Sequence, residues 1–179
     1  MKFEDYNFSD EVKMSIGKLG FKKPTDIQYK TIPHILKGED VLAIAQTGTG
    51  KTAAFAIPII EKLHTIKKQQ SRKDGIKAIV MVPTRELAIQ INEVFVELSG
   101  NTRVKSFSVF GGVEQDPQIQ KLEKGIDILI ATPGRLFDLV SQGFIKLNRI
   151  NTLVLDEADH MLNLGFIKDI RDLIKHLPH

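Results

Sequence analysis

Short apolar runs recur along the chain, separated by longer stretches in which apolar residues return every three or four positions. The runs are Val41–Ala45, Lys77–Val82, Lys105–Phe110, Asp127–Ala131 and Thr152–Leu155. They carry Ile, Val, Leu and Phe with little alternation, as strands do when both faces are covered. Helical periodicity fills the intervals, over Asp10–Leu19, Asp26–Leu36, Lys51–Thr65, Arg85–Leu98, Pro117–Lys124 and Gly134–Ser141, and a last helix is expected over Ile167–Leu177. Pro33 and Pro58 fall inside two of these helices, where each should kink the axis or loosen a turn. Strand–helix alternation of this kind predicts an α/β fold with a mostly parallel sheet and helices on both faces. No internal repeat and no long linker divides residues 1–179, so one domain is expected. The polar stretch Lys67–Gly75 reads as a solvated connecting loop rather than a basic binding patch.

Composition narrows the classes without choosing among them. A chain of 179 residues, 42% hydrophobic and 26% charged, can bury a substantial core. Cysteine is absent, which excludes disulfides, thiol nucleophiles and cysteine-based zinc sites and fits a cytoplasmic setting. The start, Met1–Tyr6, has no apolar leader segment, and no run approaches membrane-spanning length. A net charge of +3 leans toward nucleic acid too weakly to decide. The five histidines show no i, i+4 pairing, so surface or capping roles are expected for His34, His64, His160, His176 and His179.

Candidate chemistry sits where the apolar runs end. After Val41–Ile44 the chain reads Ala45-Gln46-Thr47-Gly48-Thr49-Gly50-Lys51-Thr52. A strand breaking into a Gly-rich loop that ends in Lys-Thr is the layout of a triphosphate cradle. Gly48 and Gly50 lack Cβ and let backbone N–H groups turn inward to phosphate oxygens, and the next helix N-terminus adds partial positive charge. Lys51 would reach the β- and γ-phosphates, and the Thr52 hydroxyl would hold Mg²⁺. The strict pattern wants Gly where Ala45 stands, and an ordinary Gly-rich turn is the plain alternative. Thr152–Leu155 ends in Asp156-Glu157-Ala158-Asp159, carboxylates at the C-terminal end of a strand, where doubly wound sheets place ligands. Asp156 suits water-mediated Mg²⁺ binding, and Glu157 suits orienting or deprotonating an attacking water. The plain alternative is a solvated helix start favoured by the macrodipole. Two further loops resemble anion sites. Pro83-Thr84-Arg85 opens one helix with Thr84 as N-cap; Thr132-Pro133-Gly134-Arg135 opens another with Thr132 as N-cap and Pro133 at the first position. Each offers a helix N-terminus, a hydroxyl and a guanidinium, a set suited to a nucleic-acid phosphate. Gly111-Gly112 would let a backbone approach closely.

Read in order, these segments resemble the N-terminal RecA-like domain of a DEAD-box RNA helicase over essentially the whole chain. Ala45–Thr52 is similar to that family's motif I, which accepts Ala first. Pro83–Ala88 resembles motif Ia, Gly111-Gly112 the GG motif, and Thr132–Arg135 motif Ib. Asp156-Glu157-Ala158-Asp159 is motif II letter for letter, and Gly20–Gln28 is similar to the Q motif, with Phe3 as its upstream aromatic. The resemblance implies a RecA-like P-loop NTPase fold and the cofactors ATP and Mg²⁺. It implies nucleotide contacts from Phe21, Gln28, Gln46, Thr47, Gly48, Thr49, Gly50, Lys51 and Thr52, with Lys51, Asp156 and Glu157 catalytic and Thr52 and Asp156 at the metal. It implies RNA contacts from Pro83, Thr84, Arg85, Gly111, Gly112, Thr132, Pro133, Gly134 and Arg135, and interdomain coupling through Asp159. The Gln28 amide can donate to N7 and accept from the amino group of adenine, a match that guanine inverts, with Phe21 stacked on the base.

The expected partners are RNA and a second RecA-like domain, which residues 1–179 do not include. In RecA-like sheets the strand after the Asp-Glu strand inserts between it and the phosphate-loop strand. That strand is missing here, so Val41–Ala45 and Thr152–Leu155 should each lose ladder partners. The chain should then be marginal alone, or the gap should be closed by a partner strand, by direct pairing of the two flanking strands, or by segment exchange between copies. The rival of another class is a non-catalytic RNA- or partner-binding module. A small P-loop kinase or GTPase would need a guanine-reading N-K-x-D motif or an acceptor lid, and neither is present.

Overall fold

The computed structural model describes residues 1–70 and 75–179, so Ser71–Asp74 of the expected polar loop lie outside the described residues. Two compact units are present: residues 1–71 with 93–104, and residues 72–92 with 105–179.

The first unit is helical. After a 3₁₀ turn at Phe3–Asp5 come α1 (Asp10–Lys18), α2 (Asp26–Leu36) and α3 (Lys51–Gln69). α2 starts where the Thr25 N–H donates to Gln28 Oε1 at 3.0 Å, satisfying a donor at the helix entry. α3 buries Ala53, Ala56, Ile57, Ile60 and Leu63 on more than one face, the pattern of a helix enclosed by its neighbours. Both helices continue through their internal prolines, Pro33 and Pro58, so neither residue ends its helix. α3 also runs four residues beyond the expected Thr65, taking in Lys67–Gln69 of the expected loop. Glu61 is buried on α3 and accepts from the Ser9 N–H at 3.0 Å and the Ser9 hydroxyl at 2.8 Å, tying the start of α1 to α3. His64 departs from the surface or capping role expected of it. It is buried, and its Nδ1 accepts the Arg103 N–H at 3.3 Å. The other histidines are less than fully buried, and His176 reaches the Asp172 carbonyl at 2.7 Å near the end of its helix.

The second unit carries the sheet. Its strands β1 (Ala78–Met81), β2 (Ser106–Val109), β3 (Ile128–Ala131) and β4 (Thr152–Leu155) lie in the order β2-β3-β1-β4, every pair parallel. Register aligns Met81 with both Ala131 and Leu155, so three strands end level. α4 (Arg85–Ser99) follows β1, α5 (Asp116–Glu123) follows β2 and α6 (Pro133–Ser141) follows β3; α7 (Ala158–Asn163) and α8 (Ile167–Lys175) follow β4. β1 and β3 are buried at every position, whereas β4 is half-buried throughout. Ile79, Leu129, Leu136, Leu139, Met161 and Leu173 meet in the core.

The α/β class with a parallel sheet holds, but one expected strand does not form. Val41–Ala45 joins no ladder among the described residues, and Leu42 and Ile44 are 96% and 97% exposed. An apolar run becomes a strand only when another strand accepts its N–H and C=O groups, and β4 is paired on one edge alone. Among the described residues Val41–Ala45 therefore has no ladder partner, and β4 has one on a single edge, as the expectation of lost partners requires.

Candidate nucleotide and nucleic-acid sites

In the first unit, Gln46–Gly50 forms a turn that runs into α3. Gly48 and Gly50 both have φ of +82°, a left-handed conformation that side chains rarely adopt. Thr49 closes the turn by donating from its hydroxyl to the Gln46 carbonyl at 2.7 Å. Lys51 and Thr52 are the first two residues of α3 and are half-buried, so a donor, an ammonium and a hydroxyl gather at one helix N-terminus. Gln28 reaches this loop from α2. Its Nε2 donates to the Gly50 carbonyl at 3.0 Å while its Oε1 accepts from Thr25, and the residue is 4% exposed. A Cβ at Gly50 would run into the Gln28 amide, so glycine is required there by both space and backbone. Phe21 stands 39% exposed with its ring 6.4 Å from that of Phe3, which is buried beside Tyr6. Gln46 and Thr47 are exposed.

In the second unit, Asp156 continues the β4 ladder by donating its N–H to the Met81 carbonyl at 3.0 Å, and it is 5% exposed. Its Oδ1 accepts the Glu157 N–H at 3.1 Å. Glu157 has φ 53° and ψ 49°; it is the one non-glycine residue with positive φ among the described residues. Such strain costs on the order of 1–3 kcal/mol and concentrates at functional sites. It turns the Glu157 side chain out of the strand, exposed, with Oε2 3.5 Å from His160. Asp159 is exposed in the first turn of α7. Among the described residues no cluster of three or more His, Asp or Glu could hold a metal by itself.

The same unit holds an open cavity of about 480 Å³, lined by Pro83, Arg85, Gly111, Thr132, Pro133, Gly134 and Arg135. Residues from three separate loops thus come together around one cavity. Thr84 serves the site indirectly, its hydroxyl accepting the Leu87 N–H at 3.2 Å at the start of α4. Thr132 occupies the N-cap position of α6 but its hydroxyl makes no capping bond. Arg85 lies over the Phe110 ring, 5.0 Å from its centre. Gly112 belongs to the turn but not to the cavity lining. Two lining residues were not anticipated, Asp138 and Phe166. Asp138 stands four residues after Gly134, one turn along the same face of α6, so helical spacing could have flagged it. Phe166 follows a left-handed Gly165, and nothing in its spacing relates it to the other loops.

A parallel sheet whose strands lead through loops into helices defines an α/β domain. The chain belongs to the DEAD/DEAH box helicases, whose family model matches residues 25–179. It is 44% identical over 176 residues to the DEAD-box ATP-dependent RNA helicase CshA of Bacillus subtilis, covering 98% of this chain and 34% of that protein. It is 42% identical to ATP-dependent RNA helicase CshA of Listeria monocytogenes, covering 99% of this chain and 33% of that one. Among solved structures, a DEAD box protein from the hyperthermophile Methanococcus jannaschii superposes with TM-score 0.89 at 43% identity, over 99% of this chain and 47% of that chain. A hypothetical ATP-dependent RNA helicase from Sulfolobus tokodaii gives TM-score 0.83 at 39% identity, over 94% of this chain and 47% of that chain. The chain spans about a third of the length of the curated relatives.

Proposed function

We propose that residues 1–179 are the N-terminal RecA-like domain of a cytoplasmic ATP-dependent RNA helicase, which couples ATP hydrolysis to local duplex separation or to remodelling of RNA–protein complexes. The observation that carries this reading is the turn at Gln46–Gly50, with two left-handed glycines delivering Lys51 and Thr52 at the start of α3. Backbone N–H groups of the turn and the Lys51 ammonium would neutralise the β- and γ-phosphates. Phe21 would stack on the base. Gln28 spends one N–H and one lone pair inside the protein, which leaves one of each for the complementary edge of adenine.

Thr52 of the first unit and Asp156 of the second would each offer a hard oxygen of the kind Mg²⁺ takes, Asp156 largely through water. When bound, the ion would offset charge on the transferring phosphoryl group. Glu157 would orient the attacking water and receive its proton, a reading that its left-handed backbone supports. Residues 1–179 span about a third of the curated relatives' length, and on their own they are not expected to unwind RNA. Asp159 would couple to a second RecA-like domain.

The three-loop cavity would take the backbone of RNA. Arg85 and the helix N-terminus at Thr132–Arg135 offer positive charge and N–H donors without reading bases, so binding should be weak, indifferent to sequence and steeply salt-dependent. Asp138 adds an acceptor that repels phosphate but can bind a 2′-hydroxyl, which favours RNA over DNA. Phosphate release by the full-length protein, measured with and without single-stranded RNA, tests the reading. RNA stimulation is expected. Release that ignores RNA, or no release at all, would favour the non-catalytic binding module instead.

A further inference from the structure

Gly111, which lines the cavity, and the neighbouring Gly112 are exposed and have no side chains to hold them. The residues on either side are held, and by the same pair of side chains. Gln118 is 6% exposed on α5, and its Nε2 donates to the Phe110 carbonyl at 3.2 Å. Its Oε1 accepts from Arg135 Nη1 at 2.7 Å, and Arg135 Nη2 donates to the Val113 carbonyl at 2.8 Å. One continuous run of three hydrogen bonds therefore joins both ends of the glycine turn to the first turn of α6.

We propose that Gln118 is a positioning residue for RNA: with Arg135 it clips the Gly111–Gly112 turn from both sides and presets the shape of the backbone-binding cavity. The inference rests on the reading of that cavity as an RNA site. The chemistry of the clip restricts what can stand in it. Position 118 must donate toward a carbonyl and accept from a guanidinium, which an amide does and neither a carboxylate nor an apolar side chain can. Position 135 must span two acceptors at once, which suits the planar fork of arginine and not the single ammonium of lysine. Phe110, held through its carbonyl, also carries the Arg85 guanidinium over its ring, so the clip sets the place of a second cation. The contribution of Arg135 to RNA binding then lies in shaping the turn more than in its charge.

The test uses fluorescence anisotropy of a fluorescein-labelled 12-residue oligouridylate with the wild-type chain, Gln118→Met, Arg135→Lys and the double variant. Melting temperatures and amide hydrogen exchange at residues 111–114 are followed in parallel. Gln118→Met should weaken RNA binding about tenfold, the scale of one lost charge-assisted hydrogen bond. It should leave the salt slope and melting temperature close to wild type. Arg135→Lys should weaken binding similarly although it keeps the charge, and the double variant should be no weaker than the poorer single one. Exchange at the turn should quicken in all three. Gln118→Glu, which keeps the acceptor but repels the Phe110 carbonyl, serves if the methionine variant does not fold, and should also bind poorly. Wild-type affinity in both Gln118 variants, additive losses, or unchanged exchange at the turn would overturn the proposal. If the wild-type chain itself ignores RNA, the cavity reading fails and this inference fails with it; faster exchange in the variants would then show that the clip exists but serves something else.

Discussion

Two loop–helix junctions of similar chemistry differ in what holds them up. Thr132–Arg135 follows β3, a strand paired on both sides and buried at every position. Gln46–Thr52 follows Val41–Ala45, which pairs with nothing among the described residues and exposes Leu42 and Ile44 almost fully. The first junction is set by a finished sheet. The second is set by its own glycines, by the Thr49 hydroxyl and by Gln28. Local motif thus specifies which groups a site offers, while the neighbouring ladder decides how firmly the approach to it is fixed.

The contrast is broken most strongly at the strand core. Leu129 is fully buried in β3, and Leu129→Ala should cost about 2–5 kcal/mol, read from denaturant melts. A loss below about 1 kcal/mol would mean that the sheet is not the rigid half of the pair. Gly50→Ala attacks the other junction, through a left-handed φ and a collision with Gln28. It should destabilise by roughly 1–3 kcal/mol and abolish nucleotide binding; an unaffected variant would show that the turn is not held as described.

A smaller effect is expected from Glu11. The Lys68 ammonium bonded to its carboxylate holds it down to about 2 from an ordinary 4.5. A depressed carboxylate stabilises the fold above its unfolded value, and that contribution fades as pH falls from about 4.5 toward about 2. Glu11→Gln should therefore lower the neutral plateau, flatten the acid limb of the stability curve in that window, and change stability least near pH of about 2. An unaltered acid limb would remove Lys68 from the explanation. Least of all should be felt at Leu42. Already exposed, it should change stability by less than about 0.5 kcal/mol as Leu42→Ser, whereas a cost like that of Leu129 would place the segment in a core.

Much of this was legible in the residues, for reasons that also mark the limits. β4 lies over the expected Thr152–Leu155 because an uninterrupted apolar run is bounded by Asn151 and Asp156. Val41–Ala45 carries an equally good pattern and forms no strand, since periodicity reports what a segment could bury and not whether a neighbour is there. α7 was not anticipated; six residues opening in an acidic quartet give no helical period to read. His64 looked like a surface residue because nothing local shows that the Arg103 N–H needs an acceptor. The left-handed Gly48 and Gly50 were readable from the turn they had to make. Phe166 and Gln118 join the second site only through tertiary packing, and their spacing along the chain carries no trace of it.

The measurement that bears most directly on the reading of the Gln46–Thr52 turn is a calorimetric titration of ATP, ADP and GDP into the chain and into Lys51→Ala. Adenine nucleotides should bind, GDP should bind clearly less well, and Lys51→Ala should weaken binding at least tenfold, about 1.4 kcal/mol. Equal affinity for adenine and guanine would remove Gln28 from base selection. Indifference to Lys51→Ala would contradict the phosphate cradle itself.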